Sequence, residues 1–182
     1  MKGPDVRVSV HARGFRTPAA LLARAVAVVL ADHGVLGTVS IAVVDDRAIR
    51  RLNRRFLGHD YPTDCLSFDL AGGPDGPARG GPGPAAPAGE IVVSGETARR
   101  EAGRRGIPFP REILLYAIHG ALHLAGLDDR TARGRREMEA RQEEYLAHFV
   151  TPLGHEMRRH LPRETKRPRN KARGRSGRKL DG

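Results

Sequence analysis

The chain has 182 residues, of which 39% are hydrophobic, so it can bury a core and form one domain with a possible extension. It carries a net charge of +11 and a single cysteine, Cys65, which excludes an internal disulfide and a cysteine-rich zinc finger. No run of about 18 apolar residues is present to span a membrane, and the polar first residues do not resemble a signal peptide, so we expect a cytoplasmic protein.

The first part of the chain predicts two strands and two helices. Apolar and polar residues alternate in the first strand, and Thr17-Pro18 provides a predicted N-cap and N1 residue for the first helix. Asp45 caps the second helix, on which arginines are interleaved with apolar residues. The four elements are a strand over Val6–Val10, a helix from Ala19 to about Asp32, a strand over Val39–Val44, and a short helix with Ile49, Leu52 and Phe56.

A segment of low complexity follows. Residues 71–89 are mostly glycine, proline and alanine, a composition that cannot pack a core, so we predict a mobile loop within the domain. A linker between domains is the alternative, which we disfavour because the strand after it needs the earlier strands as partners. Around this loop, the predicted elements are the turn-rich loop Gly58–Asp64, the strand Cys65–Phe68, the strand Glu90–Ser94, and a helix that Ser94 caps and that runs to about Arg105, before Gly106.

Two histidines lie four residues apart in the segment His119–Asp129. Apolar residues recur upstream at helical spacing, which predicts a partly buried helix that begins near Phe109 and carries both imidazoles on one face. Gly126 ends this helix, and the chain can then bring Asp128 or Asp129 back toward the histidines. Two imidazoles and one carboxylate leave a fourth position open, as in a catalytic zinc site. The alternative is a pair of core histidines whose partners are backbone groups.

The order β-α-β-α-β-β-α-α-α predicts an α+β fold, in which about five helices cover a small mixed sheet of about four strands and the histidine helix is central. The last helix covers Thr131–Phe149, and we assign residues 1–154 to one domain. Residues 155–182 contain 11 Lys or Arg and 3 Asp or Glu without hydrophobic periodicity, so we predict a disordered basic tail. Such a tail either binds a polyanion or only increases solubility.

Five short motifs, in order along the chain, carry a resemblance to one family. They are Leu52-Asn53, Asp60-x-Pro62-Thr63-Asp64-x-Leu66-Ser67-Phe68, Gly89-Glu90-Ile91-Val92-Val93-Ser94, His119-Gly120-x-Leu122-His123-Leu124-x-Gly126, and Glu137-Met138-Glu139. In these motifs the chain resembles the YbeY family, bacterial rRNA maturation factors regarded as metal-dependent single-strand endoribonucleases. The likeness covers roughly residues 5–150 and does not extend to the basic tail. It implies one Zn²⁺ ion, a precursor of the small-subunit rRNA 3′ end as substrate, and the small ribosomal subunit as partner.

The resemblance makes His119 and His123 zinc ligands. The family usually has a third histidine three residues after the motif's last glycine, and Asp129 occupies that position here. A carboxylate oxygen binds zinc at about 2.0–2.2 Å, so the change is chemically tolerable, although the added negative charge weakens the Lewis acidity of the ion. Asp128 matches the family's usual aspartate before the third ligand and competes with Asp129 for this role.

A second departure from the family lies at Leu57, where an arginine thought to contact RNA or to assist cleavage is common. Either Arg54 or Arg55 substitutes for it as a phosphate-stabilising group, or this role is missing. The alternative for this row of arginines is a solvated helix face. We expect hydrolysis of the phosphodiester by metal-activated water, in a cleft lined by the loop Asp60–Ser67. No residue is identifiable as the general base.

Two other functions compete with the nuclease. A zinc peptidase of the His-Glu-x-x-His type shares the ligand spacing, but Gly120 stands where such enzymes have the catalytic glutamate, so peptide hydrolysis would lack its proton-transfer group. The third hypothesis is a non-catalytic ribosome-assembly factor that binds RNA through its cleft and tail and holds a structural metal.

Overall fold

The computed structural model of the chain describes residues 3–14, 16–70 and 87–150. Within them the elements follow the predicted order, and the α+β class is confirmed. They are β1 (Asp5–Val10), α1 (Ala19–Asp32), β2 (Thr38–Val44), α2 (Asp46–Leu57), β3 (Cys65–Asp69), β4 (Pro87–Ser94), α3 (Gly95–Arg105), α4 (Phe109–Leu124) and α5 (Ala132–Val150). None of the helices in these ranges is long and apolar enough to cross a membrane.

The four strands form one mixed sheet in the order β1-β2-β4-β3. β1, β2 and β4 run parallel to their neighbours, whereas β3 pairs antiparallel with β4. β3 is therefore an edge strand, with no strand on its outer side among the described residues. The site described below lies beside this edge.

The main core lies between one face of the sheet and the helices α1 and α4. α4 is the central helix, because it contacts α1, α3 and α5 as well as β3 and β4, and its residues Ile113 and Ile118 are fully buried. The opposite face of the sheet carries a smaller apolar cluster, in which Ile49 of α2 packs with Leu66 and Val92. The helices thus cover both faces, and α2 lies on the side away from α4.

Gly120 allows α4 to lie directly on β3 and β4. A Cβ atom at this position would stand 2.7 Å from Ile91 Cγ2, 2.8 Å from Cys65 Sγ and 3.0 Å from Ser67 Oγ. The Ser67 hydroxyl also donates a hydrogen bond to the Gly120 carbonyl oxygen at 3.1 Å. The absence of a side chain therefore sets the distance between α4 and the sheet, and with it the position of His119, the preceding residue.

Local capping chemistry was predicted correctly at two helices and wrongly at one. The side chains of Asp45 and Ser94 accept hydrogen bonds from the first turns of α2 and α3, as expected. Thr17 does not cap α1. Instead Pro18, at φ −81° and ψ 63°, is the centre of an inverse γ-turn in which the amide of Ala19 donates to the Thr17 carbonyl at 3.0 Å.

The predicted loop over 71–89 and the predicted basic tail over 155–182 lie largely or wholly outside the described residues. At the end of the loop segment the structure differs from the prediction, because Pro87 and Gly89 pair with β2 and begin β4. A Cβ atom on Gly89 would stand 2.7 Å from Leu124 Cδ1, so this glycine serves close packing under α4. Glycine content alone did not distinguish this role from a loop.

Candidate metal centre

His119 and His123 lie one turn apart on α4, and their rings converge. Their Nε2 atoms are 3.1 Å apart, and Asp129 Oδ2 lies 4.0 Å from His119 Nε2 and 3.9 Å from His123 Nε2. Two ligand atoms at zinc distances in a tetrahedron are separated by about 3.3 Å, so the imidazoles fit and the carboxylate has to approach by roughly half an ångström. Among the His, Cys, Asp and Glu residues that the structure describes, these three bring their ligand atoms within 4.8 Å of one another.

The hydrogen bonds behind the two rings decide which nitrogens face the centre. His123 Nδ1 lies 3.0 Å from the carbonyl oxygen of Leu127, and His119 Nδ1 lies 2.9 Å from Gln142 Oε1. Both oxygens only accept hydrogen bonds, so each Nδ1 carries the proton and each Nε2 keeps a free lone pair. Two lone pairs that face each other at 3.1 Å repel unless a cation lies between them. This donor set therefore fits a metal ion, with outer partners of the kind that orient histidine ligands.

Burial keeps His119 in the form that binds a metal. Burial first, and then the neighbouring His123, lower the pKa of His119 below its ordinary value, although Asp64, Gln142 and Asp129 act in the opposite direction. The ring is consequently neutral at neutral pH. A neutral imidazole is the ligand form, so no proton has to be displaced for binding.

The turn after α4 separates the two candidate carboxylates. Gly126, at φ +94°, reverses the chain as predicted and brings Asp129 toward the histidines. Asp128 instead pairs with Arg130, whose NH2 group lies 2.7 Å from Asp128 Oδ2. The hydrogen bonds from Arg130 lower the pKa of Asp128, which is therefore an ionised anchor for this arginine.

Two clefts meet at His119 and Asp129. The larger, of about 740 Å³, crosses the β3 edge strand and is lined by Phe56 and Leu57 of α2, by the residues from Cys65 to Phe68, and by Arg130. The smaller, of about 240 Å³, lies on the α5 side and is lined by Asp64, Arg105, Tyr116, Arg135 and Gln142, among others. His119 and Asp129 line both clefts, so a ligand in either one reaches the candidate metal centre.

The smaller cleft has a guanidinium held by a buried carboxylate. Glu112 of α4 is 0% exposed, and its Oε1 lies 3.2 Å from Arg105 NH1. On the other wall, Arg135 donates to the carbonyl oxygens of Asp129 and Arg130 at 3.3 Å. The cleft thus presents two positive groups beside the candidate metal centre.

The arginines selected from the sequence are placed differently. Arg54 lies 3.9 Å from Asp60, and the guanidinium of Arg55 lies over the ring of Phe56 at 5.4 Å. Neither is among the residues that line the two clefts. Of the predicted lining loop Asp60–Ser67, the segment from Asp64 onward reaches the clefts. Leu57, in the family's arginine position, does line the larger cleft.

Several residues at the site were not identified from the sequence. Arg105, Arg130 and Arg135 supply the positive charge in the clefts, and nothing local in their sequence distinguishes them from other surface arginines. Gln142 offered a signal, since it is a polar residue on the apolar stripe of the last helix. Such a residue needs a partner when it is buried, and here the partner is His119.

Cys65 lines the larger cleft, and its surroundings disfavour the reactive thiolate form. Burial raises the pKa of its thiol well above the ordinary value, and the nearby Asp64 acts in the same direction. The side chain therefore favours the neutral thiol at neutral pH and packs beneath α4, against the main core.

Comparisons with known proteins agree with this architecture. A family model described as "Endoribonuclease YbeY" matches residues 15–150. A curated protein named Endoribonuclease YbeY from Moorella thermoacetica is 50% identical over 120 residues, which cover 64% of this chain and 77% of that protein. One of the same name from Elusimicrobium minutum is 42% identical over 103 residues, which cover 57% and 68%.

A solved structure shares the fold. The solution structure of TM1509 from Thermotoga maritima superposes with a TM-score of 0.58 at 24% identity, over 89% of this chain and 99% of that one. At this identity the likeness concerns the fold alone.

Proposed function

The chain belongs to the YbeY family of endoribonucleases, and we propose that it is a zinc-dependent endoribonuclease that cuts single-stranded RNA during rRNA maturation. Its substrate is the precursor of the small-subunit rRNA 3′ end, its partner is the small ribosomal subunit, and it acts in the cytoplasm. We assign this activity to one domain over residues 1–154. One observation carries the proposal: the Nε2 atoms of His119 and His123 and the carboxylate of Asp129 converge where two open clefts meet.

Three side chains of this chain would hold the ion, namely His119, His123 and Asp129. A zinc ion there supplies a Lewis acid for a phosphoryl oxygen and lowers the pKa of a water molecule toward about 7. Gln142 and the carbonyl of Leu127 keep the imidazole rings in the orientation that directs Nε2 toward the centre. Asp128 does not bind the ion in this proposal but holds Arg130 at the larger cleft.

Positive side chains near the centre stabilise the phosphate. Arg130 lines the same cleft as Leu57 and supplies there the guanidinium that Leu57 lacks. Arg54 and Arg55 remain candidates for contact with the RNA outside the clefts, where they neutralise phosphates of the flanking nucleotides.

The contacts of Gly120 argue against a peptidase. The general base of that class would have to extend from this position, yet even a Cβ atom would stand 2.7 Å from Ile91. The helix face at Gly120 is packed against the sheet rather than directed into a cleft. The proton-transfer residue of a peptidase therefore has no place on this scaffold.

The test is a single-turnover cleavage assay on a labelled precursor of the small-subunit rRNA 3′ end, together with metal analysis of the purified protein. We expect one zinc ion per chain, cleavage that stops when a chelator removes it, and neither zinc nor cleavage in His123→Ala. His33→Ala is the matched control, because His33 is an exposed histidine at the end of α1 and should behave like the wild type.

Other outcomes would assign a different function. Binding of the RNA without metal-dependent cutting, unchanged in His123→Ala, would indicate the ribosome-assembly factor. Equal zinc content in the wild type and in His119→Ala would contradict the metal centre itself. Zinc-dependent cleavage of casein would indicate the peptidase.

A further inference from the structure

An aromatic pair of the exposed Phe56 and the half-buried Phe68 lies in the larger cleft and has no role in holding a metal. Phe56, at the C-terminal end of α2, is 54% exposed, and the adjacent Leu57 is 58% exposed. Both line the cleft together with Phe68 of β3. Single exposed apolar side chains are common on protein surfaces, but a cluster of them in a cleft indicates a binding surface.

The geometry of the pair leaves aromatic surface free. The ring centroids of Phe56 and Phe68 are 5.0 Å apart and the ring planes meet at 64°, so the contact is edge to face. This contact covers only part of Phe56, which remains 54% exposed. The guanidinium carbon of Arg55 lies over the Phe56 ring at 5.4 Å from its centroid, so one part of this partly exposed ring is already in contact with a cation.

The charges around the pair favour a nucleic acid over an apolar protein segment. The exposed residues of α2 include Arg47, Arg51, Arg54 and Arg55, and Arg130 stands in the same cleft. Phenylalanine rings beside arginines are the combination that binds unpaired bases, because every base has a flat face that stacks and a phosphate that attracts a cation.

We propose that Phe56, supported by Phe68, is a stacking platform for one unpaired base of the RNA, in the nucleotide next to the bond that is cut. This rests on the proposed function, since it takes the substrate to be RNA. The platform and the two histidines line one cleft, so a base on Phe56 belongs to a nucleotide close to the candidate metal centre. It also gives a physical reason for single-strand preference, because a base inside a duplex already has both faces covered.

The experiment measures the affinity of a labelled single-stranded hexanucleotide with non-hydrolysable phosphodiester links by fluorescence anisotropy, for the holoenzyme and for variants of Phe56. We expect Phe56→Ala and Phe56→Leu to weaken binding by about tenfold, and Phe56→Tyr to stay within about twofold of the wild type. Leucine keeps the apolar surface but removes the aromatic face, so it separates stacking from a simple apolar contact. Tyr61→Ala is the control, because Tyr61 is an equally exposed aromatic residue, at 55%, that does not line the cleft.

A second measurement replaces each nucleotide of the hexamer in turn by an abasic one. At one position the abasic nucleotide should weaken binding to the wild type by about tenfold. At the same position it should not weaken binding to Phe56→Ala any further, since this variant already lacks the contact with that base. Equal losses in both proteins at every position, or an unchanged affinity of Phe56→Ala, would overturn the platform. Such a result would indicate that the apolar surface of Phe56, Leu57 and Phe68 binds a protein partner instead. RNA that is bound but never cut would contradict the proposed nuclease and not the platform, so the two failures are distinguishable.

Discussion

Gly120 touches Ile91 so closely that the distance from a Cβ atom at position 120 to Ile91 Cγ2 would be 2.7 Å. Real Cβ atoms essentially never approach carbon atoms this closely, so a side chain at position 120 requires α4 or the side chains beneath it to shift. His119 moves with the helix, because it is the preceding residue. The close packing of Gly120 against the sheet therefore also determines the positions of His119 and His123.

Gly120→Ala should destabilise the protein by about 1–3 kcal/mol, since it overpacks the space between α4 and the sheet. It should also lower zinc affinity, because the rings no longer converge. Urea unfolding and a chelator competition assay measure the two effects. Gly103→Ala is the matched control, since Gly103 lies on the exposed side of α3 with no atom within 4 Å of an added Cβ. This change should stabilise the protein by about 0.5–1 kcal/mol. Equal effects of the two substitutions would contradict the close approach.

The adjacent Asp128 and Asp129 should have different functions. Asp129→Asn should weaken zinc binding by more than about a hundredfold, because it replaces an ionised ligand, whereas losses at outer partners are smaller. Asp128→Asn should change zinc affinity by less than about threefold and instead weaken RNA binding, because it releases Arg130 from a 2.7 Å ion pair. Titration against a chelating dye and RNA anisotropy measure both. The reverse pattern would make Asp128 the ligand.

Gln142 should matter to the metal although it does not touch it. Gln142→Ala removes the acceptor at 2.9 Å from His119 Nδ1, so the ring loses its orientation and zinc affinity should fall by about 10–100-fold. Gln142→Glu retains an acceptor and should keep the affinity. The neighbouring Glu143→Ala, whose carboxylate pairs with Arg111 at 3.6 Å, serves as the control. If Gln142→Ala bound zinc as tightly as this control, Gln142 would not be the residue that holds the His119 ring with its proton on Nδ1.

Asp46, at the start of α2, forms hydrogen bonds with α3 and its N-cap residue. These bonds should make the free energy of unfolding depend on pH. Its Oδ1 accepts from the hydroxyls of Ser94 and Thr97, and its Oδ2 accepts from Arg100 at 2.8 Å. Burial acts to raise the pKa of this carboxyl, but the three hydrogen bonds outweigh it and hold the pKa below its ordinary value. The folded state therefore prefers the ionised form. The stability that the ionised Asp46 carboxylate contributes is fully present above the unfolded-state pKa of about 3.9. It is lost as the pH falls through the lower pKa of the folded state.

We therefore expect Asp46→Asn to cost about 2 kcal/mol at neutral pH, and the difference from the wild type to shrink as the solution becomes more acidic than about pH 4. Urea unfolding across a pH series measures it. Asp5→Asn controls for surface charge, since Asp5 pairs only with the exposed Arg7 among the described residues. If the difference in unfolding free energy between the two proteins stayed constant with pH, the charge of Asp46 would not be the source of the stabilisation.

The basic segment over 155–182, which lies outside the described residues, yields a prediction from charge alone. Deleting it removes 11 Lys or Arg and 3 Asp or Glu, so RNA binding should weaken and depend less steeply on salt, because fewer counterions are released. Anisotropy at several salt concentrations gives the slope for the full chain and for the truncated one. An unchanged slope would leave the segment with only a solubilising role.

Features encoded locally were predictable from the sequence. Asp45 and Ser94 cap their helices because a short acceptor stands directly before a helical run, and Gly126 ends α4 because a positive φ suits glycine. The spacing of His119 and His123 was sufficient to place both rings on one face. In each case the determining partners lie within a few residues.

Features that depend on distant partners were missed. The start of β4 at Pro87 was predicted as loop because composition does not reveal that β2 and β3 lie on both sides of it. The cations of the clefts were sought in α2, next to the family's arginine position. Arg105 lines the smaller cleft because α3 packs on α4, which the sequence does not reveal. Arg130 is next to Asp129 in the chain, but no local pattern distinguished it from other arginines. The partner of His119 lies 23 residues away, on another helix.

The contact between His119 and Gln142 also links the candidate metal centre on α4 to α5. α5 is the last described helix, and the segment over 155–182 follows it along the chain. If a metal at the proposed centre stabilised the position of α5 through this hydrogen bond, thermodynamic reciprocity would require a correctly packed α5 to strengthen metal binding by the same free energy. A ligand or partner that shifts α5 would therefore also change how firmly a metal is held at the proposed centre.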